Sequence, residues 1–123
     1  MARAARVLAR PLLVLLLAAV SPASLSMAAE LVFDLKIAHG RVADTMRLIR
    51  VTEGDIVRLR WTTDRPLVLH LHGYDIEKRV VPGRVTEMAF TAKATGRFPV
   101  EIHGQGGGGH DEAPLVNVEV YPH

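Results

Sequence analysis

The sequence predicts an all-β domain, an antiparallel sandwich or small barrel of seven or eight short strands. Apolar residues recur at every second position through most of residues 31–121, turn-forming Gly, Pro and Asp separate these runs at regular spacing, and no ten-residue stretch has helical periodicity. That combination is the pattern of sandwiches and barrels. With 123 residues the chain has room for a single compact unit, and 49% hydrophobic with 23% charged residues is a globular composition able to form a core.

Residues 1–28 read as a secretory signal peptide. Arg3, Arg6 and Arg10 form a positive start, Pro11 to Val20 is apolar, and Ser21 to Ala29 is rich in small residues. The apolar run is shorter than the roughly 20 residues that span a bilayer. Ser26 and Ala28 make the small–x–small pair that signal peptidase reads, which places cleavage after Ala28 and leaves no membrane span; an uncleaved anchor is the alternative. The leader holds three of the 15 basic residues and none of the 13 acidic ones. The net charge of +2 for the whole chain therefore becomes −1 for residues 29–123, with 12 basic against 13 acidic residues. A near-neutral domain carries no electrostatic footprint for nucleic acid. The expected location is periplasmic or secreted.

The first strand follows at once, as Leu31, Phe33, Leu35 and Ile37 alternate with Val32, Asp34, Lys36 and Ala38. Arg47 to Val51 can pair as a short second strand, ended by the turn residues Glu53-Gly54-Asp55. In the third, Val57, Leu59 and Trp61 alternate with Ile56, Arg58 and Arg60, which sets arginines toward water and makes Trp61 the largest core candidate. Beyond the turn at Thr63-Asp64-Arg65-Pro66, Leu67, Leu69 and Leu71 take one face of a strand while Val68, His70 and His72 take the other. Further strands fit Glu77 to Val81, Val85 to Thr91, Arg97 to His103 and Leu115 to Tyr121, with Pro82-Gly83 and Thr95-Gly96 as turns. Gly104-Gln105-Gly106-Gly107-Gly108-Gly109 breaks the rhythm, being almost without side chains and entropically costly to order.

There is no cysteine, which removes disulfides, thiolate zinc sites, iron–sulfur clusters and cysteine nucleophiles, and leaves His, Asp, Glu or Met to hold any metal. His70 and His72 project from one strand face about 7 Å apart along the backbone. His103 ends a strand and His110 lies across the glycine segment, so adjacent strands can bring these histidines to one rim of a sandwich. Imidazole nitrogen suits copper, zinc or nickel, and Asp111 and Glu112 can add oxygen ligands or hold the rings. The competing reading makes these histidines ordinary polar residues, since no CxxC or HExxH signature is present. His39 and His123 read as turn and tail residues. No Ser/His/Asp or paired-carboxylate arrangement stands out, and Asp75 and Glu77 read as solvated surface, so the expectation is a protein that is not an enzyme.

Val51-Thr52-Glu53-Gly54-Asp55-Ile56-Val57-Arg58-Leu59 resembles the V-x-x-G-D-x-V-x-L strand pair of cupredoxins, and His72-Gly73-Tyr74-Asp75-Ile76 resembles their H-G-F-x-I segment. Gly96-Arg97-Phe98-Pro99-Val100-Glu101-Ile102 is similar to the G-x-Y-x-Y-x-C strand before the copper loop, and Val116 to Tyr121 resembles the closing strand. The segments come in the family's order and together cover most of residues 29–123. The resemblance implies a cupredoxin-like Greek-key β-sandwich, with His72 as the first histidine ligand and His110 as a loose equivalent of the loop ligand. The chain departs from the family at Ile102, where cupredoxins place the copper thiolate, and at Gly106 to Gly109, where the His-x-x-x-x-Met end of the loop is missing. Without the thiolate, blue-copper electron transfer is excluded. His103 adjoins that lost position, so alternation points it to the opposite face unless the strand has ended. His70-Leu71-His72-Gly73 also resembles the H-x-H-G element of multicopper oxidases, whose other ligand motifs are absent.

Two functions are open. The first is an exported cupredoxin-like protein that binds a metal ion, copper foremost, through a non-blue site drawn from His72, His110, His70 and His103, for storage, delivery or tolerance. The second is a metal-free cupredoxin-like module that binds or assembles with a protein partner of the cell envelope.

Overall fold

Among the described residues eight strands build two facing sheets: β1 (Glu30–Ile37), β2 (Leu48–Thr52), β3 (Ile56–Thr63), β4 (Leu67–Leu71), β5 (Ile76–Val80), β6 (Thr86–Thr91), β7 (Gly96–His103) and β8 (Val116–Tyr121). The structure is a computed structural model that describes residues 3–5, 9, 11–23, 27–104 and 113–123. One sheet has the order β1-β3-β6 and the other β2-β8-β7-β4-β5. Each strand falls on a segment whose apolar alternation predicts it, with ends displaced by one or two residues. His110, Asp111 and Glu112 lie outside the described residues.

The sheets are mixed rather than purely antiparallel, contrary to the expectation from the sequence. β1 runs parallel to β3, and β2 runs parallel to β8, while the remaining pairs are antiparallel. Parallel neighbours need a crossover rather than a tight hairpin, and β2 supplies it by leaving the first sheet for the second between β1 and β3. Alternation fixes which face a residue takes but carries no information about strand direction.

Between the sheets Leu35, Ile37, Leu59, Trp61, Leu69 and Leu71 are fully buried, and Trp61 is the largest of the fully buried side chains. Fully burying one such side chain is worth about 1.5–3 kcal/mol relative to exposure. On the outer face of the three-stranded sheet Arg58 donates to Glu30 at 2.5 Å and to Glu87 at 2.7 Å, and these two carboxylates raise its pKa further. Exposed pairs of this kind add little stability. The apolar residues Leu12 to Leu17 and Val20 stand 73–89% exposed, and among the described residues the core with the apolar side chains packed on it contains none before Leu31. Among the described residues no helix is long and apolar enough to cross a membrane.

Candidate metal centre

Burial of Leu67, Leu69 and Leu71 forces the alternate residues of β4 outward. On β7 the buried Val100 and the partly buried Ile102 face the core, so Glu101 and His103 face outward as well. Antiparallel pairing sets Val68 opposite His103 and His70 opposite Glu101, while Glu77 on β5 lies opposite His70. His70 and His103 are therefore diagonal neighbours, a relation that long side chains can bridge. His72, just past β4, keeps its place beside β7 because its N–H donates to the Pro99 carbonyl at 3.0 Å.

Three rings meet on this outer face. The centroids of His70 and His72 lie 4.2 Å apart, those of His70 and His103 4.6 Å, and those of His72 and His103 6.0 Å. One donor nitrogen from each ring lies within 4.8 Å of the other two. Each ring also has a carboxylate on a nitrogen: Asp75 Oδ1 on His70 Nε2 at 3.1 Å, Glu101 Oε2 on His72 Nε2 at 2.9 Å, and Glu77 Oε2 on His103 Nδ1 at 3.3 Å. The side chains are 16%, 39% and 43% exposed for His70, His72 and His103, so the cluster opens to solvent.

Proton counting gives this arrangement a direction. His70 Nδ1 and His103 Nε2 face each other at 3.2 Å. If both neutral rings carry their proton on the outer nitrogen, the one beside a carboxylate, both inner nitrogens carry lone pairs and repel. One extra proton or one cation between them removes the conflict. Two donors 3.2 Å apart subtend about 100° at an ion bonded to each at ~2.0–2.1 Å, between the roughly 90° and roughly 109° of common geometries. Metal-bound histidines characteristically hand their other N–H to a carboxylate, which orients the ring and raises its basicity.

The histidines thus meet on a sheet face and not at the rim that strand order suggested. Alternation does turn His103 away from Ile102, and the same alternation brings it to His70. Asp75 and Glu77 are exposed, as the surface reading expects, and each also lies beside one of the rings. Glu101 had no assigned role, although its i, i+2 spacing from His103 signals a shared face. His39 is a turn residue as expected, with φ +53° and a backbone N–H that donates to Asp64 at 2.9 Å, holding that carboxyl below its usual range. His123 is exposed at the end of the chain.

Gly73 holds the turn after His72. Its φ of +84° is left-handed, and a Cβ there would lie 2.3 Å from Phe98 Cδ1. Tyr74 then packs its ring 4.8 Å from Phe98 and 4.6 Å from Phe90, and its hydroxyl donates to the Ala94 carbonyl at 3.1 Å.

Solved structures share this arrangement of strands. A multi-copper oxidase from Pseudomonas thermotolerans is 19% identical with a TM-score of 0.59 over 78% of this chain and 30% of the oxidase chain. A copper binding protein solved in its apo form is 11% identical with a TM-score of 0.59 over 76% of this chain and 90% of the other. The fold is cupredoxin-like. The periplasmic domain of cytochrome oxidase subunit II (CoxB) of Bradyrhizobium japonicum is a further structural relative, 23% identical with a TM-score of 0.51 over 66% of this chain and 56% of that one. The chain spans less than two thirds of the length of both oxidase chains. No family model matches the sequence, and no curated protein sequence does. Ile102, where the resemblance implies a thiolate, packs against the core and faces away from His103 on β7.

Proposed function

We propose that this is an exported protein that binds one copper ion through His70, His72 and His103, serving storage, delivery or tolerance in the periplasm or outside the cell. The reading takes residues 1–28 as a leader removed after Ala28 and residues 29–123 as the functional domain. The observation that carries it is the facing pair of nitrogens of His70 and His103 at 3.2 Å, in a three-ring cluster where each ring has a carboxylate oxygen within 3.3 Å of one nitrogen. Copper is favoured over other divalent ions because nitrogen sites bind Cu(II) most tightly along the first-row series. Three carboxylates around the rings offset a dication's charge. The multi-copper oxidase and the copper binding protein of similar fold, and the CoxB periplasmic domain for location, are in keeping with this reading. The role is binding and not catalysis.

Titration of the metal-free protein with Cu(II), followed by electron paramagnetic resonance, should give one equivalent of a tetragonal, nitrogen-coordinated and weakly coloured centre. Binding should raise the melting temperature, since a ligand of the folded state alone stabilises it. His103→Ala and His70→Ala should weaken binding at least tenfold. An unchanged spectrum together with an unchanged melting temperature overturns the proposal. Ile102 in place of the thiolate supports the second reading, a metal-free binding module of the envelope. Capture of a stable partner that is indifferent to chelator and to His72→Ala would favour that reading instead.

A further inference from the structure

Hydrolysis after Ala28 changes the chemistry of one atom that the fold already holds. The backbone N–H of Ala29 donates to Asp55 Oδ1 at 3.2 Å, and that of Thr52 donates to Asp55 Oδ2 at 2.8 Å. The Ala29 carbonyl accepts from Ile56 N at 2.9 Å, so Ala29 is fixed through both of its backbone groups. Asp55 is the one buried charged residue among the described residues, 8% exposed, and no basic side chain among them lies within ion-pair distance of it. The nearby ionisable groups on surrounding elements are Glu30, already paired with Arg58, Glu53 in the same turn, and Lys93 just beyond Ala92, whose N–H donates to the Asp55 carbonyl.

We propose that Asp55 is the receptor for the α-ammonium of a processed chain that begins at Ala29. The inference rests on the reading of residues 1–28 as a leader. Water adds across the Ala28–Ala29 amide; Ala28 leaves as a carboxylate, and the Ala29 nitrogen gains protons to become an ammonium. A neutral amide hydrogen bond to a buried carboxylate is thereby replaced by a charge-assisted one, the stronger kind. The precursor lacks this ion pair, so the domain reaches full stability only after the leader has gone. The contact also reads the cleavage position, because each extra residue displaces the charge by up to about 3.8 Å.

The sign of the pH dependence is fixed by the partner. An amine paired with a carboxylate titrates above its ordinary range of about 7.7–8.0. Its stabilisation is complete below that range and is lost as pH rises through the raised folded value. All eight strands and the core lie within residues 30–121, so residues 29–123 contain the folding unit. The test combines N-terminal sequencing of the protein recovered from its own compartment with NMR titration of the Ala29 amine in the 29–123 chain. The amine should titrate about one unit or more above the ordinary range, and Asp55→Asn should return it there. A 27–123 chain and an Nα-acetylated 29–123 chain should both melt below the 29–123 chain at pH 7, with the gap closing near pH 10. A native terminus other than Ala29 overturns the cleavage position. An unshifted amine, or equal melting of the free and acetylated chains at pH 7, overturns the ion pair even where cleavage is as stated.

Discussion

Replacing Gly73 by alanine inserts a methyl group into space that Phe98 already fills. The new Cβ would stand 2.3 Å from Phe98 Cδ1 and 2.7 Å from Cε1, so the ring must move by more than about 1 Å to restore ordinary contact, which lies near 3.5–4.0 Å. It cannot move freely, because Tyr74 packs against it at 4.8 Å between centroids. Overpacking of this kind costs about 1–3 kcal/mol. The left-handed φ of +84° adds about 1–2 kcal/mol for a residue with a Cβ. The sum, about 2–5 kcal/mol, is a large part of a typical domain stability of about 5–15 kcal/mol. It corresponds to a fall in melting temperature of roughly 10–30 °C for a domain near 100 residues. Urea unfolding followed by the fluorescence of Trp61, the single and fully buried tryptophan, measures it directly. The two contributions separate in a double-mutant cycle with Phe98→Leu: in that background Gly73→Ala should cost only the backbone part, about 1–2 kcal/mol. A cost below about 1 kcal/mol in the native background, or no coupling between the two sites, refutes the close-packing account of this glycine. Because His72 precedes Gly73, the variant should also bind Cu(II) nearly as weakly as His72→Ala.

Two further predictions concern the cluster itself. Glu101→Ala and Glu77→Ala remove the carboxylates beside His72 and His103, and each should weaken Cu(II) binding about 10–100-fold while leaving the three rings in place, as isothermal titration will read. Ile102→Cys places a thiol where the resemblance implies the cupredoxin thiolate, yet it should not generate a blue centre with His70, His72 and His103, because residue 102 faces the core and the rings face outward; an intense thiolate-to-copper band in that variant would place the histidines on the wrong face here.

The strands were legible because apolar alternation is local. Leu67, Leu69 and Leu71 state that His70 and His72 look outward without reference to any other part of the chain. Val100 does the same for Glu101. The partners of the rings were not legible, because they depend on register between strands far apart in sequence: Val68 opposite His103, and Glu77 opposite His70. A shift of one residue in that pairing would turn His103 toward the core and leave His70 without it. Strand direction was likewise hidden, since the parallel pairing of β1 with β3 follows from the crossover through β2 and from no residue within either strand.

Alternation also decides how the missing thiolate bears on function. On one strand a side chain at position 102 and side chains at 101 and 103 cannot serve the same ion, because they leave the sheet on opposite faces. Of the ligand positions that the resemblance implies, His72 stands in the cluster, Ile102 faces the core and His110 lies outside the described residues. The cluster occupies the outer face, where His70 on β4, Glu77 on β5 and Glu101 and His103 on β7 stand beside His72 and Asp75 from the turn between β4 and β5. A site built there needs no cysteine, no copper loop and no space between the sheets, only the register that sets His103 diagonally from His70. The core can then pack Ile102 as an ordinary apolar residue while the three rings stay partly exposed to solvent.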